Sequence, residues 1–288
     1  MAETVGTAYQ YKIRLQKSQE KEEILFPIDY TKLNLNLNKA KIKAVTIETA
    51  KAIILKYEWL GTMSNTTHHY GIFFDDICGG VVCYGNSCTA NFNVPKEFGL
   101  DTNELFILAR GACCHWTPIG SASKLISKSL LLLKKEIPSV KVILAYSDIE
   151  AGEIGTVYQA TNWYYIGKSD HITYNFYHPQ TKRRFDERML HELKGQFRCS
   201  RGEMAEILKK YGYIKIPKPI KHKYIYILAT HKEKKQILKK VTVYPYPKRN
   251  AMEGSRENCV SSTNEGLGRF QDTAYKKEVL NGRENNSI

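Results

Sequence analysis

Residues 105–167 decide the fold of this chain, because strand-like and helix-like segments alternate there in a fixed order. The run LFILAR at 105–110 has the length and composition of a strand, and PIGSASK at 118–124 is a turn rich in small residues. Apolar residues then recur at helical spacing through 125–136, and Pro138 ends this predicted helix.

The second half of the same stretch repeats the alternation. The run VKVILAY at 140–146 predicts a buried strand, and GTVYQATNWYY at 155–165 predicts a helix that runs out at Gly167. Small residues that open a helix let backbone N–H groups approach an anion, and the helix dipole favours negative charge there. The strand–loop–helix unit therefore suits a phosphate or pyrophosphate group, although Gly and Ser also open helices simply as caps.

Segments on both sides extend this α/β pattern. Residues 45–57 have apolar positions at helical spacing, and residues 70–74 and 77–84 predict two strands that turn at Asp75-Asp76. Ser200 and Glu203 predict a capping box for a helix over 201–211 that buries Met204, Ile207, Leu208 and Tyr211. Shorter strands are predicted at 33–38, 91–95, 172–177 and 224–229.

The composition is that of a globular chain in a reducing compartment. The chain has 288 residues, of which 42% are hydrophobic, and no apolar run approaches the length that spans a membrane. The polar N-terminus of mixed charge does not resemble a secretory signal. Seven cysteines, with Cys113 next to Cys114, do not suggest a disulfide framework. We therefore expect a cytoplasmic protein without a membrane partner.

The positive charge is concentrated in one segment. Residues 180–249 contain 20 Lys and Arg against six Asp and Glu, which matches the net charge of +14 of the whole chain. Such a basic segment favours a polyanion partner, because phosphate neutralisation dominates sequence-independent binding to nucleic acids. The alternative is a lysine-rich solvated surface. Residues 250–288 are polar with few apolar positions and are predicted to be a disordered tail.

Six short blocks carry a resemblance to a known family. Together they resemble the acetyl-CoA-binding core of the GNAT N-acyltransferase superfamily, and more closely the Mom proteins of phages, over roughly residues 45–230. The blocks are YEWLGTM at 57–63, HHYGIFF at 68–74, CGGVVCYG at 78–85, LARGA at 108–112, GSAS at 120–123 and AYSD at 145–148.

This resemblance implies a fold and an activity. The fold would be α/β (α+β), with a GNAT-like, mostly antiparallel central sheet flanked by helices and carrying a basic insertion. Residues 1–44 would be an N-terminal extension and 45–245 the catalytic domain. The implied activity converts adenine in double-stranded DNA to N6-carbamoylmethyladenine, which protects phage DNA from restriction in the cytoplasm of a bacterial host. The target base would have to flip out of the duplex.

The donor is left open. Acetyl transfer alone would give N6-acetyladenine, whereas an N6-glycyl group is an isomer of the carbamoylmethyl product. The resemblance therefore implies either acetyl-CoA or glycyl-tRNA, with tRNA as a partner in the second case. A divalent metal such as iron, held by His and carboxylate ligands, is also left open. The cysteines at 78, 83 and 88 lack a Cys-x-x-Cys pair and do not indicate a zinc site.

The resemblance also implies catalytic residues, each with a structural alternative. Arg110 ends an apolar strand and would bind a substrate oxygen or pair with a carboxylate such as Asp148. Asp148 would act as a base or ligand, or cap the next helix, and nearby Glu153 would share its role. Tyr158 would donate a proton to the leaving group, or pack as a core aromatic. The acceptor side would place His69 and Tyr70 in the site.

The turn of small residues supplies the candidate donor-binding residues. Gly120 and Ser121 open the helix, Ser123 would contact the donor, and Lys124 would contact phosphate. All four also suit a simple helix start. Two rival functions remain open, an ordinary GNAT enzyme that acylates a protein or small amine, and a nucleic-acid-binding module without catalysis.

Overall fold

The computed structural model describes residues 8–20, 29–86, 94–169, 174–182, 184–186, 200–217 and 220–249. These residues form two compact units. The larger unit is built from the described parts of 1–171 and 219–251, and the smaller from those of 172–218. The segment 180–249 is therefore divided between the units. The predicted tail 250–288 lies outside the described residues.

Strands and helices are numbered along the chain. The strands are β1 (Lys41–Ala44), β2 (His68–Phe74), β3 (Ile77–Asn86), β4 (Leu105–Cys113), β5 (Val142–Ser147), β6 (Tyr164–Lys168), β7 (Tyr174–Tyr177), β8 (Arg184–Asp186), β9 (Ile214–Pro217) and β10 (His222–Ile227). The helices are α1 (Tyr9–Gln19), α2 (Ile47–Tyr57), α3 (Val94–Glu97), α4 (Ser121–Glu136), α5 (Thr156–Gln159), α6 (Arg201–Lys210) and α7 (His231–Leu238), with 3-10 turns at Tyr30–Lys32 and Ile149–Ala151.

The larger unit is organised around a seven-stranded sheet in the order β1-β2-β3-β4-β5-β10-β6. Neighbouring strands are antiparallel except for β4 and β5, which are parallel. Helix α4 packs its apolar face on the sheet, and α2, capped by the Thr46 hydroxyl, packs against Val81 and Cys83. The mixed, mostly antiparallel sheet flanked by helices that the sequence predicted is confirmed.

The parallel pair separates half-way along β4. Leu105 to Leu108 pair with Val142 to Ala145, and β4 then continues only with β3. In the β3–β4 pair, Cys83 lies opposite Arg110, but the next residue, Tyr84, lies opposite Leu108. Ala109 therefore has no partner on β3 and is an extra residue in β4. An extra residue of this kind bends a strand and increases its twist. A gap therefore opens between β4 and β5 just beyond the bulge.

The predicted helix at 155–165 is wrong in most of its length. Only the short α5 forms, and β6 begins at Tyr164. Asn162 has a left-handed backbone with φ 61°, and the Trp163 N–H returns to the Tyr158 carbonyl, which ends the helical turn. Aromatic residues at 164 and 165 then favour an extended strand, where Tyr165 packs against Tyr224.

Two short strand predictions also fail. Residues 33–38 form turns, because the side chains of Asn34 and Asn36 accept hydrogen bonds from backbone N–H groups two residues later. Val94 and Pro95, within the predicted strand 91–95, belong to the helix α3, and 91–93 lie outside the described residues. Helix α1 was not predicted at all.

The smaller unit combines a three-stranded sheet with one described helix. Its strand order is β8-β7-β9, and all pairs are antiparallel. The Ser200–Glu203 capping box of α6 is present, and Met204 and Leu208 are buried as predicted. Tyr211 is 47% exposed, contrary to prediction, because it follows the last helical turn. Within the described residues, no helix combines the length and apolar composition needed to cross a membrane.

Candidate functional site

A cavity of about 590 Å³ lies in the larger unit at the gap between β4 and β5. Its walls come mainly from β3, β4 around the bulge, the start of α4, the segment 153–158 and helix α1, and His115 and Arg249 also line it. The β4 wall is mostly apolar and includes Leu108, Gly111 and Ala112. Ligand sites in proteins combine such apolar walls with a few polar groups, and here those groups sit mainly on the other walls.

Tyr158 is one of the predicted catalytic residues, and it lines this cavity. Its ring packs against Trp163 and Tyr224, with centroids 5.0 and 5.3 Å away. Burial and the negative charge of Glu153 raise the pKa of Tyr158, so the phenol stays protonated at neutral pH. The side chain is therefore both a packed aromatic and a possible proton donor.

Glu153 lies between two glycines with left-handed backbones, Gly152 and Gly155. Its side chain lines the cavity. Burial raises the pKa of Glu153 to about 7, and repulsion from Glu58 and Asp148 adds to this effect. A carboxyl group in this range can both accept and release a proton near neutral pH.

Arg110 is buried, with 7% of its surface exposed. Its Nε donates to the Thr62 carbonyl at 2.7 Å and lies 3.8 Å from a carboxylate oxygen of Glu58. Burial raises the pKa of Glu58, while Arg110 opposes that change. Arg110 thus does pair with a carboxylate, but the partner is Glu58.

Asp148 follows β5 directly and forms an ion pair of 2.7 Å with Lys221, the residue before β10. Its side chain also accepts the Glu150 N–H and so caps the 3-10 turn at Ile149–Ala151. Lys221 also acts electrostatically on Glu58, and Asp148 acts on Glu153. Arg110 and Asp148 therefore belong to one charged network around the gap, bridged by Glu58 and Glu153.

His69 and Tyr70 point to opposite faces of β2, as neighbouring residues on a strand must. The His69 side chain lies 3.0 Å from the Thr66 hydroxyl, and burial lowers the pKa of His69. Tyr70 is buried in the core beneath α4, and its hydroxyl donates to Glu136 at 2.6 Å. Neither residue lines the cavity.

The four predicted donor-binding residues lie at the start of α4, beside the cavity. Gly120 is the N-cap with a left-handed backbone and offers no capping side chain. The Ser121 hydroxyl donates to the Pro118 carbonyl, and Lys124 donates to the Leu37 carbonyl. Side chains from the same helix start, Ile119, Ala122, Leu125 and Ile126, line the cavity instead, whereas Ser123 does not.

The described residues do not supply a metal site. Across the described ranges, no three or more His, Cys, Asp or Glu side chains come together in a group that could hold a metal ion. Cys78 and Cys83, from the predicted cysteine set, pack beside α2 as free thiols.

Helix α1 contributes a wall that the sequence did not suggest. Arg14 donates to the carbonyls of His115 and Thr117, and the Gln10 side chain donates to the Tyr57 carbonyl. Tyr9 also packs edge-on against Trp59. These contacts hold α1 over the gap. The one sequence signal was weak, because apolar residues of this helix are few and only Ile13 is buried.

Comparison with known proteins identifies relatives of the chain. The model of the Mom protein family matches residues 39–248. The methylcarbamoylase mom of Escherichia phage Mu is 24% identical over 219 residues, which cover 72% of this chain and 83% of that protein. The matched residues include the β4–β5 gap, whereas α1 precedes the part matched by the family model.

Proposed function

The chain belongs to the Mom protein family, and on that premise we propose that it is a transferase that converts adenine in DNA to N6-carbamoylmethyladenine. The modification would protect phage DNA from restriction in the host cell. Beyond family membership, one observation carries this proposal. A cavity occupies the gap where the parallel pair separates, and acid–base side chains reach it from the segment that follows β5.

The same gap supports a GNAT-type arrangement for the donor. In that arrangement an acyl donor would enter between the separated strands, with its phosphates or sugar–phosphate chain at the start of the following helix. Helix α4 begins beside the cavity, and its N-cap Gly120 leaves the first-turn N–H groups without a capping side chain. Those groups, with the helix dipole, suit an anion.

The chemistry requires help from the protein, because the N6 lone pair of adenine is delocalised into the ring. The site must position an activated carbonyl, stabilise negative charge on its oxygen and remove a proton from N6. Tyr158, which lines the cavity, would protonate the departing oxygen or sulphur. Arg110 and Lys221 hold the carboxylates Glu58 and Asp148 around the gap and fix its electrostatic field.

We favour activated glycine, supplied as glycyl-tRNA, over acetyl-CoA as the donor. The N6 amine would displace the ester oxygen, giving N6-glycyladenine and the free ribose hydroxyl. The glycyl amine would then attack ring carbon C6 and form a five-membered spiro ring. Cleavage of the old C6–N6 bond leaves the carbamoylmethyl group, with no atom gained or lost in this second step. A metal takes no part in this route.

DNA would be held in part by the basic C-terminal part of the larger unit. Residues 219–249 contain nine Lys and Arg and one acidic residue. Several of these cations are already committed, since Lys221 pairs with Asp148 and Lys223 with Glu97. Exposed lysines on and after α7 remain available for phosphates, which supports sequence-independent binding of the duplex around a flipped base.

The test is nucleoside mass spectrometry on plasmid DNA from bacteria that express the chain. We expect a deoxyadenosine heavier by one carbamoylmethyl group. Plasmid DNA from cells that express Tyr158→Phe should contain much less of this nucleoside. The control Tyr226→Phe removes one hydroxyl outside the cavity, and its DNA should contain as much of the nucleoside as wild-type DNA. Unmodified DNA from cells with folded wild-type protein would overturn the proposal. Binding of acetyl-CoA by that protein would then favour an ordinary acyltransferase.

The donor has a separate test. Cells fed with nitrogen-labelled glycine should place the label on the nitrogen attached to C6. A modified base without label would remove the glycyl route and leave the DNA-modifying activity intact.

A further inference from the structure

Glu153 differs from the other acidic side chains around the gap. Among the described residues that line the cavity, it is the sole carboxyl group. Glu58 and Asp148 stand close enough to act on it electrostatically but do not line the cavity. The side chain also reaches the same space as Tyr158, the candidate proton donor.

We propose that Glu153 is the proton acceptor that activates the N6 amine of adenine in the transfer step. This role rests on the DNA-modifying function proposed above and adds a residue to it. Asp148, for which the sequence left a base, a metal ligand, a partner of Arg110 and a helix cap open, would position Lys221 and the turn that leads to Glu153.

The backbone around Glu153 is built to hold this side chain in place. The Glu153 N–H donates to the Asp148 carbonyl, and Arg249 donates to the carbonyl of Gly152. Gly155 has φ 75°, and a Cβ there would lie 2.4 Å from the ring of Tyr224, so no larger residue fits. The segment is therefore fixed on both sides of the carboxyl group.

Helix α1 also acts on the carboxyl group. The backbone N–H of Gln10, in the first turn of α1, favours the charged form of Glu153 and opposes part of the effect of burial on its pKa. A carboxylate has two oxygens that accept several hydrogen bonds, so this interaction leaves capacity for a substrate amine.

The other candidate bases are engaged elsewhere. Asp148 forms its 2.7 Å ion pair with Lys221, and Glu58 accepts the Leu60 N–H at 2.8 Å beside Arg110. Both carboxylates are thus held by other partners, and neither lines the cavity. His115 also lines the cavity, but its Nδ1 lies 2.7 Å from the Tyr57 hydroxyl. His115 is the strongest competitor and needs its own variant.

The proton balance closes on one carboxyl group. As the bond from N6 to the donor carbonyl forms, one N6 proton moves to the Glu153 carboxylate. When the bond between the carbonyl carbon and the leaving oxygen or sulphur breaks, Tyr158 supplies a proton to the leaving atom. Glu153 then returns its proton to the phenolate of Tyr158, which restores both side chains.

The electrostatic surroundings agree with this role. Burial raises the pKa of Glu153 to about 7, and the charges of Glu58 and Asp148 act in the same direction. Arg249 and the Gln10 N–H act in the opposite direction. The charged and titratable neighbours also include Tyr158, with Arg14 and His115 on the cavity wall.

The experiment compares variants in extracts of expressing cells, which supply the donor, with added plasmid DNA. Initial rates of modified-adenosine formation are measured from pH 5.5 to 8.5. The initial rate of the wild-type protein should rise with pH to a plateau, because only the carboxylate form of Glu153 accepts a proton. The midpoint of this rise should lie near the pKa of Glu153. Glu153→Gln should lose about 100-fold or more of the plateau rate, and Glu153→Asp should recover part of it.

Two further variants separate this role from a structural one. Glu58→Gln removes a repelling charge, so the midpoint of its pH profile should move to lower pH. His115→Gln should leave the midpoint where it is in wild type. Glutamine at 153 has nearly the same size as glutamate and keeps a carbonyl oxygen that accepts hydrogen bonds, so the melting temperature and DNA affinity of Glu153→Gln should not fall.

The results of these experiments distinguish failure of the role of Glu153 from failure of the proposed function. A Glu153→Gln protein that keeps the wild-type rate and pH profile would overturn the role of Glu153, as would loss of the pH dependence in His115→Gln alone. A folded wild-type protein that forms no modified adenosine would overturn the proposed function itself.

Discussion

Replacing Glu153 by glutamine is expected to make the larger unit more stable at pH 8. The carboxylate is held in a site that disfavours its charge, since burial and the nearby charges of Glu58 and Asp148 raise its pKa to about 7 from the usual 4.5. A carboxyl group whose pKa is higher in the folded state than in the unfolded state makes its full contribution to stability at pH values below its pKa in the unfolded state. That contribution is lost as the pH rises through the folded value.

The size of the effect follows from the shift. Each pKa unit corresponds to about 1.4 kcal/mol, so a shift from 4.5 to about 7 gives an upper value near 3 kcal/mol. Glu153 is only half-buried, and solvent screens part of this penalty. We therefore expect the free energy of unfolding of Glu153→Gln at pH 8 to exceed that of wild type by roughly 1–3 kcal/mol.

Urea unfolding followed by tryptophan fluorescence measures this quantity, because Trp59, Trp116 and Trp163 all lie in the larger unit. The stability difference should shrink steadily between pH 8 and pH 5. Glu206→Gln, an exposed carboxylate on α6, serves as the control and should change little. A Glu153→Gln protein that is less stable than wild type at pH 8, or equally stable at every pH, would refute the reasoning about this site.

Three other substitutions test other parts of the structure. Gly155→Ala should lower the free energy of unfolding by more than about 2 kcal/mol in urea titrations, because its Cβ would meet the ring of Tyr224; a neutral result would contradict the backbone described here. Ser200→Ala should lower the melting temperature of the smaller unit, because it removes about 1 kcal/mol of helix capping. Circular dichroism during heating measures this temperature, and an unchanged value would contradict the capping box. Three exposed lysines lie along one side of α7 and at its end, namely Lys232, Lys235 and Lys239. Replacing all three by alanine should weaken DNA binding and reduce the slope of log K against log salt by up to about 3 in salt titrations. An unchanged slope would mean that this surface does not contact the DNA.

The sequence predicted most elements whose residues act locally. The capping box at Ser200 and the apolar spacing over 45–57 depend on neighbours within one or a few turns, and helices form at both places, the second beginning at Ile47 after the N-cap Thr46. The turn at Asp75-Asp76 likewise joins two strands as expected, with Asp75 at φ 51°. Such features are readable because the contacts that stabilise them are close in sequence.

The failures depend on contacts distant in sequence. The stretch 155–165 has helical spacing, but the packing of Tyr165 against Tyr224 and the left-handed Asn162 make its second half a strand. Helix α1 has little apolar character of its own and is held by contacts to Tyr57 and the 115–117 loop. Nothing in the local sequence signals either outcome.

The predicted catalytic residues differ in where they lie. Tyr158 lines the cavity, whereas Arg110 and Asp148 lie outside its wall, in the charged network with Glu58 and Glu153. That Arg110 and Asp148 lie near each other could be anticipated, because residues at the ends of neighbouring strands lie together. The bridging residue Glu58 follows α2 and could not be placed near Arg110 from the sequence. Its contact with Arg110 forms only because the fold brings the loop around Thr62 against Arg110, 48 residues later in the chain. The catalytic and binding roles of all the predicted site residues, His69 and Tyr70 included, stay predictions.

The position of the smaller unit in the chain has a practical consequence. Strands β6 and β10 are antiparallel neighbours, and Ser169 and Lys221 close the end of this pair through an N–H to carbonyl bond of 2.8 Å. Residues 172–218, which contribute the smaller unit, are thus inserted in the sequence between the two strands of this pair. A short Asn-Gly connection between Ser169 and Lys221 would restore an ordinary two-strand turn. Shortened and chimeric chains of this kind could be made without altering the strands that carry the site.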